Sequence, residues 1–317
     1  MRVVFMGTPQ YAVPVLEELQ AASSTEVVAV YTPPDRPRGR GREIETTPVK
    51  AAALELGIPV CQPVSFRSEE VREELASFLP DVVVVAAYGK LLPASVLELP
   101  PHGCLNIHPS LLPRYRGPSP VVSAILDGVA ETGVSLMLLD EGMDTGPIVA
   151  QETYPLNGTE TALFLTEELF MAGGKLLVDR LQPWVEGKLP LTAQEDSLAT
   201  VTSKLERSDG AADWTQSAEH LERLQRAFTP WPGLFTQWED KTLRLLEVCV
   251  MQIARQSGES LAPEPGEVVG LDQEDILVGI GTGEGILGLK TLQLEGRRAT
   301  SASEFLRGYP HFLGSQL

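Results

Sequence analysis

The sequence predicts an α/β chain: a first domain built on a mostly parallel sheet, then a small C-terminal β-barrel. Three observations carry that expectation. Over residues 1–189, short apolar runs alternate with segments of helical period, the pattern of βαβ units. The run Asp81 to Ala86 holds four consecutive valines, which suits a strand covered on both faces. Past residue 206, strand-like runs of five to nine residues recur between Gly and Asp turns, the spacing of a small barrel. A length of 317 residues, with 43% hydrophobic and 21% charged residues, fits two ordinary globular domains.

The elements follow in order. Val3 to Met6 reads as a buried strand ending in the turn Gly7-Thr8-Pro9, and Ala12, Val13, Leu16 and Leu19 then fall at helical spacing. Val27 to Tyr31 is the second strand. Residues 48–56 are helical, with Pro48 in the first turn, where its missing N–H costs nothing. Asp81–Ala86, Cys104–His108, Val134–Leu139 and Ile148–Tyr154 are further strands. Thr159 is a candidate cap for a helix from Glu160 to about Arg180. Residues 190–206 are polar and without period, and read as a linker. Ala218 to Ala227 is a short amphipathic helix, stopped by Phe228-Thr229-Pro230-Trp231-Pro232-Gly233 because two prolines cannot continue it. Strands over 234–238, 242–250, 266–270, 275–280 and 285–293 complete a C-terminal domain of residues 207–317.

Composition excludes several classes. The net charge of −18 argues against indiscriminate nucleic-acid binding, although a local basic patch can hide inside a negative total. The three cysteines show no paired spacing and fit free thiols in a reducing compartment. No run of 18 apolar residues occurs, and the opening Met1–Met6 run is too short for a signal-peptide core. A cytoplasmic protein with no membrane partner is therefore expected. The first turn carries one glycine where a dinucleotide fingerprint needs several, and no Gly-rich loop runs into Gly-Lys-Ser/Thr. None of the four His pairs with a Glu at metal-ligand spacing, so no metal is expected.

The chemistry concentrates in Leu105-Asn106-Ile107-His108-Pro109-Ser110-Leu111-Leu112-Pro113. Period 2 puts Asn106 and His108 on one face of a strand, at the C-terminal end where Pro109 and Pro113 stop the ladder. Ligands of open α/β sheets bind at that edge. An amide donor beside an imidazole suits a carbonyl under attack, where negative charge gathers on oxygen. Downstream, Leu139-Asp140-Glu141-Gly142-Met143-Asp144-Thr145-Gly146-Pro147 is an acidic turn. A carboxylate from it would orient the imidazole and raise its pKa, keeping it protonated near neutral pH. Asn106 and a protonated His108 would then stabilise the oxyanion together.

These two motifs, in this order and at this separation, resemble the formyltransferases that use 10-formyltetrahydrofolate as co-substrate. The resemblance covers nearly the whole chain and implies a Rossmann-like catalytic domain over 1–189 and an appended OB-like barrel. It implies Asn106, His108 and Asp144 as the catalytic trio. It places Ser110, Leu111, Leu112 and Pro113, and the loop 138–143 with Leu139 and Glu141, on the folate. Ala86-Ala87-Tyr88-Gly89-Lys90-Leu91-Leu92-Pro93 resembles the segment that meets the pterin around Lys90 and Leu92. Cys104 is assigned to packing.

The acceptor is a separate question. Gly7-Thr8-Pro9, the stretch Pro34-Asp35-Arg36-Pro37-Arg38-Gly39-Arg40-Gly41-Arg42, and Phe228 to Gly233 resemble the branch of the family that formylates methionyl initiator tRNA. Ser119-Pro120-Val121-Val122 and Thr229 depart from its usual pattern, away from the trio. Arg36, Arg38, Arg40 and Arg42 are four guanidinium groups in seven residues, set in a Pro/Gly background. Guanidinium forks match phosphate, so concentrated positive charge is what an acidic tRNA-binding enzyme needs. The resemblance implies that Arg40 above all contacts tRNA and that the barrel binds tRNA; a monomer is expected, although the sequence does not itself fix the oligomeric state. A sugar-nucleotide N-formyltransferase and an inactive folate- or RNA-binding module are the alternatives.

Overall fold

The computed structural model describes residues 1–38, 43–251, 263–273 and 276–317. The chain divides into two compact units. The first comprises Met1–Pro120, Ala130–Leu156 and Phe164–Ser203; the second comprises Val121–Val129, Asn157–Leu163 and Lys204–Leu317.

The strands of the first unit are β1 (Arg2–Gly7), β2 (Glu26–Tyr31), β3 (Arg36–Arg38), β4 (Glu43–Glu45), β5 (Val60–Cys61), β6 (Val82–Ala86), β7 (Cys104–His108), β8 (Glu131–Leu138) and β9 (Ile148–Pro155). Seven of them form one sheet in the order β5-β2-β1-β6-β7-β8-β9. The pairs from β5 to β7 are parallel, as the alternating pattern predicts. The pairs β7–β8 and β8–β9 are antiparallel, which that pattern did not indicate. The connection Leu139–Pro147 explains the second reversal. A parallel return needs a crossover of a dozen or more residues, and this loop is shorter. β3 and β4 form a separate hairpin within the basic stretch.

Both faces of the sheet are buried at its central strands. On one, Val82 and Val84 of β6 and Leu105 and Ile107 of β7 pack on Val15, Leu16 and Leu19 of the helix Val13–Ala21, and on Phe170, Leu177 and Leu181 of the helix Ala162–Val185. On the other, Val83, Val85 and Cys104 join Tyr31, Phe66, Leu75, Tyr88, Leu92 and Val96. Burial pushes the Cys104 thiol up to about 12, so it stays protonated and packs. The helix Pro48–Glu55 begins as expected, with Thr47 accepting the Lys50 N–H at 3.2 Å. The long helix starts later than expected. Thr159 turns its hydroxyl to Asn157 Oδ1, Glu160 accepts the N–H groups of Asn157, Gly158 and Thr159, and the helix opens at Ala162.

The stretch 190–206 also differs from a free linker. Thr192 exchanges both backbone hydrogen bonds with Ile148, Val201 bridges Arg116, and residues up to Ser203 belong to the first unit. Polarity hid this, because these bonds run through the backbone and through Thr and Gln side chains, which leave no apolar period.

The second unit carries β10 (Leu234–Trp238), β11 (Lys241–Met251), β12 (Val268–Gln273), β13 (Ile276–Gly281), β14 (Ile286–Leu294) and β15 (Thr300–Ser301), all antiparallel. They follow the order β10-β11-β14-β13-β12, with β15 on β14, in line with the strand set expected of a small barrel. The helix Ala218–Ala227 buries Leu221 and Leu224. Arg223 donates to the Leu126 carbonyl, and Arg226 grips Glu222 through two nitrogens and reaches the Glu160 carbonyl. These bonds tie two upstream segments into this unit, which the contiguous reading 207–317 did not include. The helix Ala302–Gly308, unread in the sequence, sets Phe305 against Trp238 with ring centroids 5.6 Å apart. Among the described residues, no helix is long and apolar enough to cross a membrane.

Leu105 is fully buried on the strand that carries Asn106 and His108. Leu105→Ala should lower the unfolding free energy by about 3 kcal/mol in urea titrations. Leu198→Ala, at a residue 58% exposed, should change it by less than about 0.5 kcal/mol.

Candidate active site

β7 delivers two polar side chains to one point. Asn106 is half-buried, and among the described residues its side-chain amide makes no hydrogen bond. His108 is buried, with Nε2 2.9 Å from the Tyr115 carbonyl. A carbonyl oxygen only accepts, so Nε2 carries the hydrogen and the neutral ring keeps its lone pair on Nδ1. Nδ1 lies 3.7 Å from Asp144 Oδ2.

Enclosure of the ring pushes the His108 pKa below the ordinary histidine value, while the Asp144 charge and the Tyr115 carbonyl pull it up. The expectation of a ring kept protonated by the carboxylate is thereby overturned. The carboxylate acts in that direction, and desolvation outweighs it. His108 is therefore neutral at rest.

Asp144 is fixed from several sides. Its Oδ2 accepts the Gly117 N–H at 2.8 Å, and its backbone is left-handed with φ 55°. Asp is among the residues that tolerate that region. Asp140 braces the turn by accepting from Thr145 Oγ1 at 2.8 Å and from the Gly142 N–H at 3.0 Å. Position 146 must be glycine, since a Cβ there would fall 1.9 Å from the Leu138 carbonyl oxygen. Ala87 and Tyr115 also have positive φ, at 50° and 60°. Left-handed backbone at non-glycine residues is costly and gathers at functional sites.

The candidate folate residues fall into two groups. Ser110 and Leu112 are buried and brace the loop: Ser110 Oγ donates to the Arg114 carbonyl, and the Leu112 N–H donates to Ser135 Oγ. Leu111 lies against Gly133, and the Pro113 carbonyl accepts the Thr200 N–H at 3.3 Å. Leu139 packs both on the cluster containing Leu92 and on Leu112, Met137 and Ile148. Leu139 thus links the cluster that holds Leu92 to the cluster that holds Leu112. Glu141 is exposed. Lys90 turns its Nζ to the carbonyls of Pro63 and Val64 at 2.7 and 2.9 Å. Partial burial, then the nearby Arg36 charge, lower its pKa. Among the described residues, the backbone groups of Gly89 to Leu92 have no hydrogen-bond partner. Free backbone donors and acceptors beside an apolar surface suit a flat heterocycle with a polar edge.

Of the basic stretch, Arg36 is exposed at the start of β3 and Arg38 ends it; Arg40 and Arg42 lie outside the described residues. The base of the hairpin is pinned. Lys50 Nζ donates to Asp35 at 2.5 Å and to Gln62 Oε1 at 2.7 Å. Gln62 Nε2 donates to Asp35 and to the Pro33 carbonyl, and the Thr32 and Thr47 hydroxyls meet at 2.7 Å. Among the described residues, no group of three or more His, Cys, Asp and Glu could hold a metal ion.

Comparison with known proteins matches this arrangement to a family. The Formyl transferase family model matches residues 1–181, and the Formyl transferase C-terminal domain model matches residues 204–310. The methionyl-tRNA formyltransferase of Roseiflexus sp. (strain RS-1) is 46% identical over 308 residues, covering 97% of this chain and 92% of that protein. The one from Geobacter sulfurreducens is 41% identical over 317 residues, covering 100% of this chain and 96% of its own. The chain belongs to the methionyl-tRNA formyltransferase family. Its fold recurs in an N-formyltransferase from Helicobacter canadensis solved with folinic acid and dTDP-3-aminofucose (TM-score 0.63, 18% identity, 90% of this chain and 97% of that one). It recurs also in HypX from Aquifex aeolicus solved with tetrahydrofolic acid (TM-score 0.60, 18% identity, 96% of this chain and 47% of that one).

Several residues around the trio of this family member had no signal in the sequence. Gln194, Thr200 and Thr202 come from the stretch read as linker, and Ser135 and Gln151 lie on strands read only for their apolar alternation. Each is defined by one to three side-chain hydrogen bonds, which leave no period to read.

The buried His108 links stability to pH. With its folded pKa depressed, the unfolded chain binds the proton first, so acidification below the ordinary histidine value favours unfolding. The His108 contribution is fully present above that value and is lost as pH falls through the window beneath it. His108→Gln should flatten that part of the stability–pH curve relative to wild type, measured by urea midpoints between about pH 7.5 and 5.5.

Proposed function

We propose that this chain transfers the formyl group of 10-formyltetrahydrofolate to the amino group of methionyl initiator tRNA, in translation initiation, as a cytoplasmic monomer. The observation that carries this reading is the grouping of the free Asn106 amide, the buried His108 and Asp144 at the end of β7, in a chain of this family.

The folate supplies an activated formyl carbon. Around it the residues divide the work. Asn106 donates to the formyl oxygen as charge builds there, and its lack of another partner leaves it ready to do so. His108 takes a proton from the attacking amine at Nδ1. Asp144 offsets the charge that the ring then acquires, and His108 passes the proton to the departing folate nitrogen. In the net change one amine N–H bond becomes an N-formyl bond, the formyl bond to N10 breaks, and the proton ends on N10. The free backbone of Gly89 to Leu92 and the surface of Leu92, Leu139 and Leu112 are proposed to hold the pterin, with Ser110, Leu111, Pro113, Lys90 and Glu141 around it. Arg36, Arg38, Arg40 and Arg42 are proposed to take tRNA phosphates, and residues 207–317 to form a second tRNA-binding region.

A sugar-nucleotide N-formyltransferase is the competing reading, since its fold is the same. Four arginines in seven residues favour a polyphosphate such as tRNA over a nucleotide sugar. Purified protein should release tetrahydrofolate with charged methionyl initiator tRNA and not with an amino-sugar nucleotide; the reverse result overturns the proposal. Asn106→Ala should lower kcat about 10² to 10³-fold with the fold intact by circular dichroism. Arg40→Ala should raise the tRNA KM and reduce the slope of log(kcat/KM) against log[salt] by about one unit. An unchanged slope removes Arg40 from the phosphate contacts.

A further inference from the structure

Gln194 sits in the stretch whose polarity suggested a linker, yet its half-buried side chain makes three hydrogen bonds inside the first unit. Its Nε2 donates to the carbonyls of Asp144 at 2.9 Å and Gly146 at 2.7 Å. Its Oε1 accepts from Arg116 Nε at 2.9 Å. Arg116 is itself buried, and its Nη2 reaches Asp196 at 2.9 Å. The residue after Arg116 is Gly117, whose N–H holds the Asp144 carboxylate at 2.8 Å. A closed circuit results: the Gln194 amide to the Asp144 backbone, the Asp144 carboxylate to Gly117, and Arg116 back to Gln194.

The chemistry of that circuit demands an amide. Two carbonyls require a donor with two hydrogens, and a guanidinium requires an acceptor. Glutamate lacks the donors, lysine lacks the acceptor, and a hydroxyl cannot serve three partners at this spacing. The circuit also controls a strained element, since Asp144 has φ 55° and its neighbour Gly146 has no room for a side chain.

We propose that Gln194 is a positioning residue for formyl transfer: it sets the distance of the Asp144 carboxylate from His108 by holding the Asp144 backbone and the Arg116–Gly117 turn at once. The proposal rests on the trio acting as described above. The groups that bear on the His108 ring are the Asp144 carboxylate and the Tyr115 carbonyl, so a displaced Asp144 changes how the ring titrates.

Two variants test this. Gln194→Glu keeps an acceptor for Arg116 and sets a carboxylate against two carbonyls; Gln194→Met keeps the volume and removes every bond. Each should lower kcat per folded molecule by about 10- to 100-fold, while KM for tRNA and folate stays within about twofold. The His108 ring, followed by ¹⁵N NMR in the full-length protein, should titrate at lower pH than in wild type. Loss of stability alone would lower the folded fraction and leave both readouts where they were. Unchanged kcat per folded molecule together with an unchanged His108 titration overturns the proposal. If wild-type protein fails to formylate methionyl-tRNA, the functional reading falls, while the NMR titration still decides whether Gln194 positions Asp144. If one variant does not fold, the other carries the same two measurements.

Discussion

β7 is held on both edges, and the positions of Asn106 and His108 follow from that. It runs parallel to β6 through Val83–Cys104, Val84–Leu105 and Val85–Asn106, and antiparallel to β8 through the four pairs from Leu105–Leu138 to His108–Ser135. Side chains alternate along a strand, so a slip of one residue would send Asn106 and His108 into the face now filled by Leu105 and Ile107. It would expose two aliphatic side chains, each contributing about 1.5–3 kcal/mol by burial, and enclose an amide with no partner. Hydrophobic burial on one face thus sets the placement of polar groups on the other. The placement of Asn106 and His108 is inherited from the core and needs no interaction of its own to set the register.

What the core cannot supply is the carboxylate. Asp144 comes from the loop between β8 and β9, and it reaches β7 only because local bonds hold it there. Asp140 closes the turn, Gly117 takes the carboxylate, and Gln194 takes the backbone. These bonds act against two costs, a left-handed backbone at Asp144 and the burial of an imidazole beside it. A ring kept in water would titrate near its ordinary value and trade protons with solvent. Enclosed, His108 is neutral until a proton arrives on Nδ1, and the carboxylate 3.7 Å away then stabilises the charged form. Burial and the neighbouring charge oppose each other in the resting ring. In a ring that has accepted a proton, the same charge lowers the cost of holding it.

Legibility in the sequence divides along the range of the interaction. Apolar period is local, so β1, β2, β6, β7 and the helix Ala218–Ala227 were readable to within a residue or so. Asn106 and His108 were readable too, because two prolines mark where their strand ends. The direction of β8 and β9 depends on pairing partners, and only the shortness of the loop 139–147 pointed to one of the two reversals. Thr159 met the rule for a helix cap, and a stronger acceptor next to it, Glu160, took the neighbouring N–H groups. Gln194 was unreadable in principle. Its three partners lie 48 to 78 residues away along the chain, and nothing in a polar segment marks one glutamine as buried among carbonyls.

The basic stretch shows how charge and structure divide one task. A net charge of −18 opposes phosphate at long range, so the tRNA contact proposed above is assigned to the short segment in which positive charges crowd. Four like charges within seven residues repel one another. The structure meets that at the base of the hairpin. Asp35, Lys50 and Gln62 bond to one another, and the Thr32 and Thr47 hydroxyls join the strand end before the stretch to the helix cap after it. Fixing the two ends removes much of the conformational freedom that binding would otherwise have to remove, because closing a loop is an entropic cost met once, on folding. In that proposal the arginines supply attraction, and the uncharged and paired groups at Thr32, Asp35, Thr47, Lys50 and Gln62 supply direction. On the proposed reading, selectivity for one polyanion in a negative protein depends on keeping those two roles in separate residues.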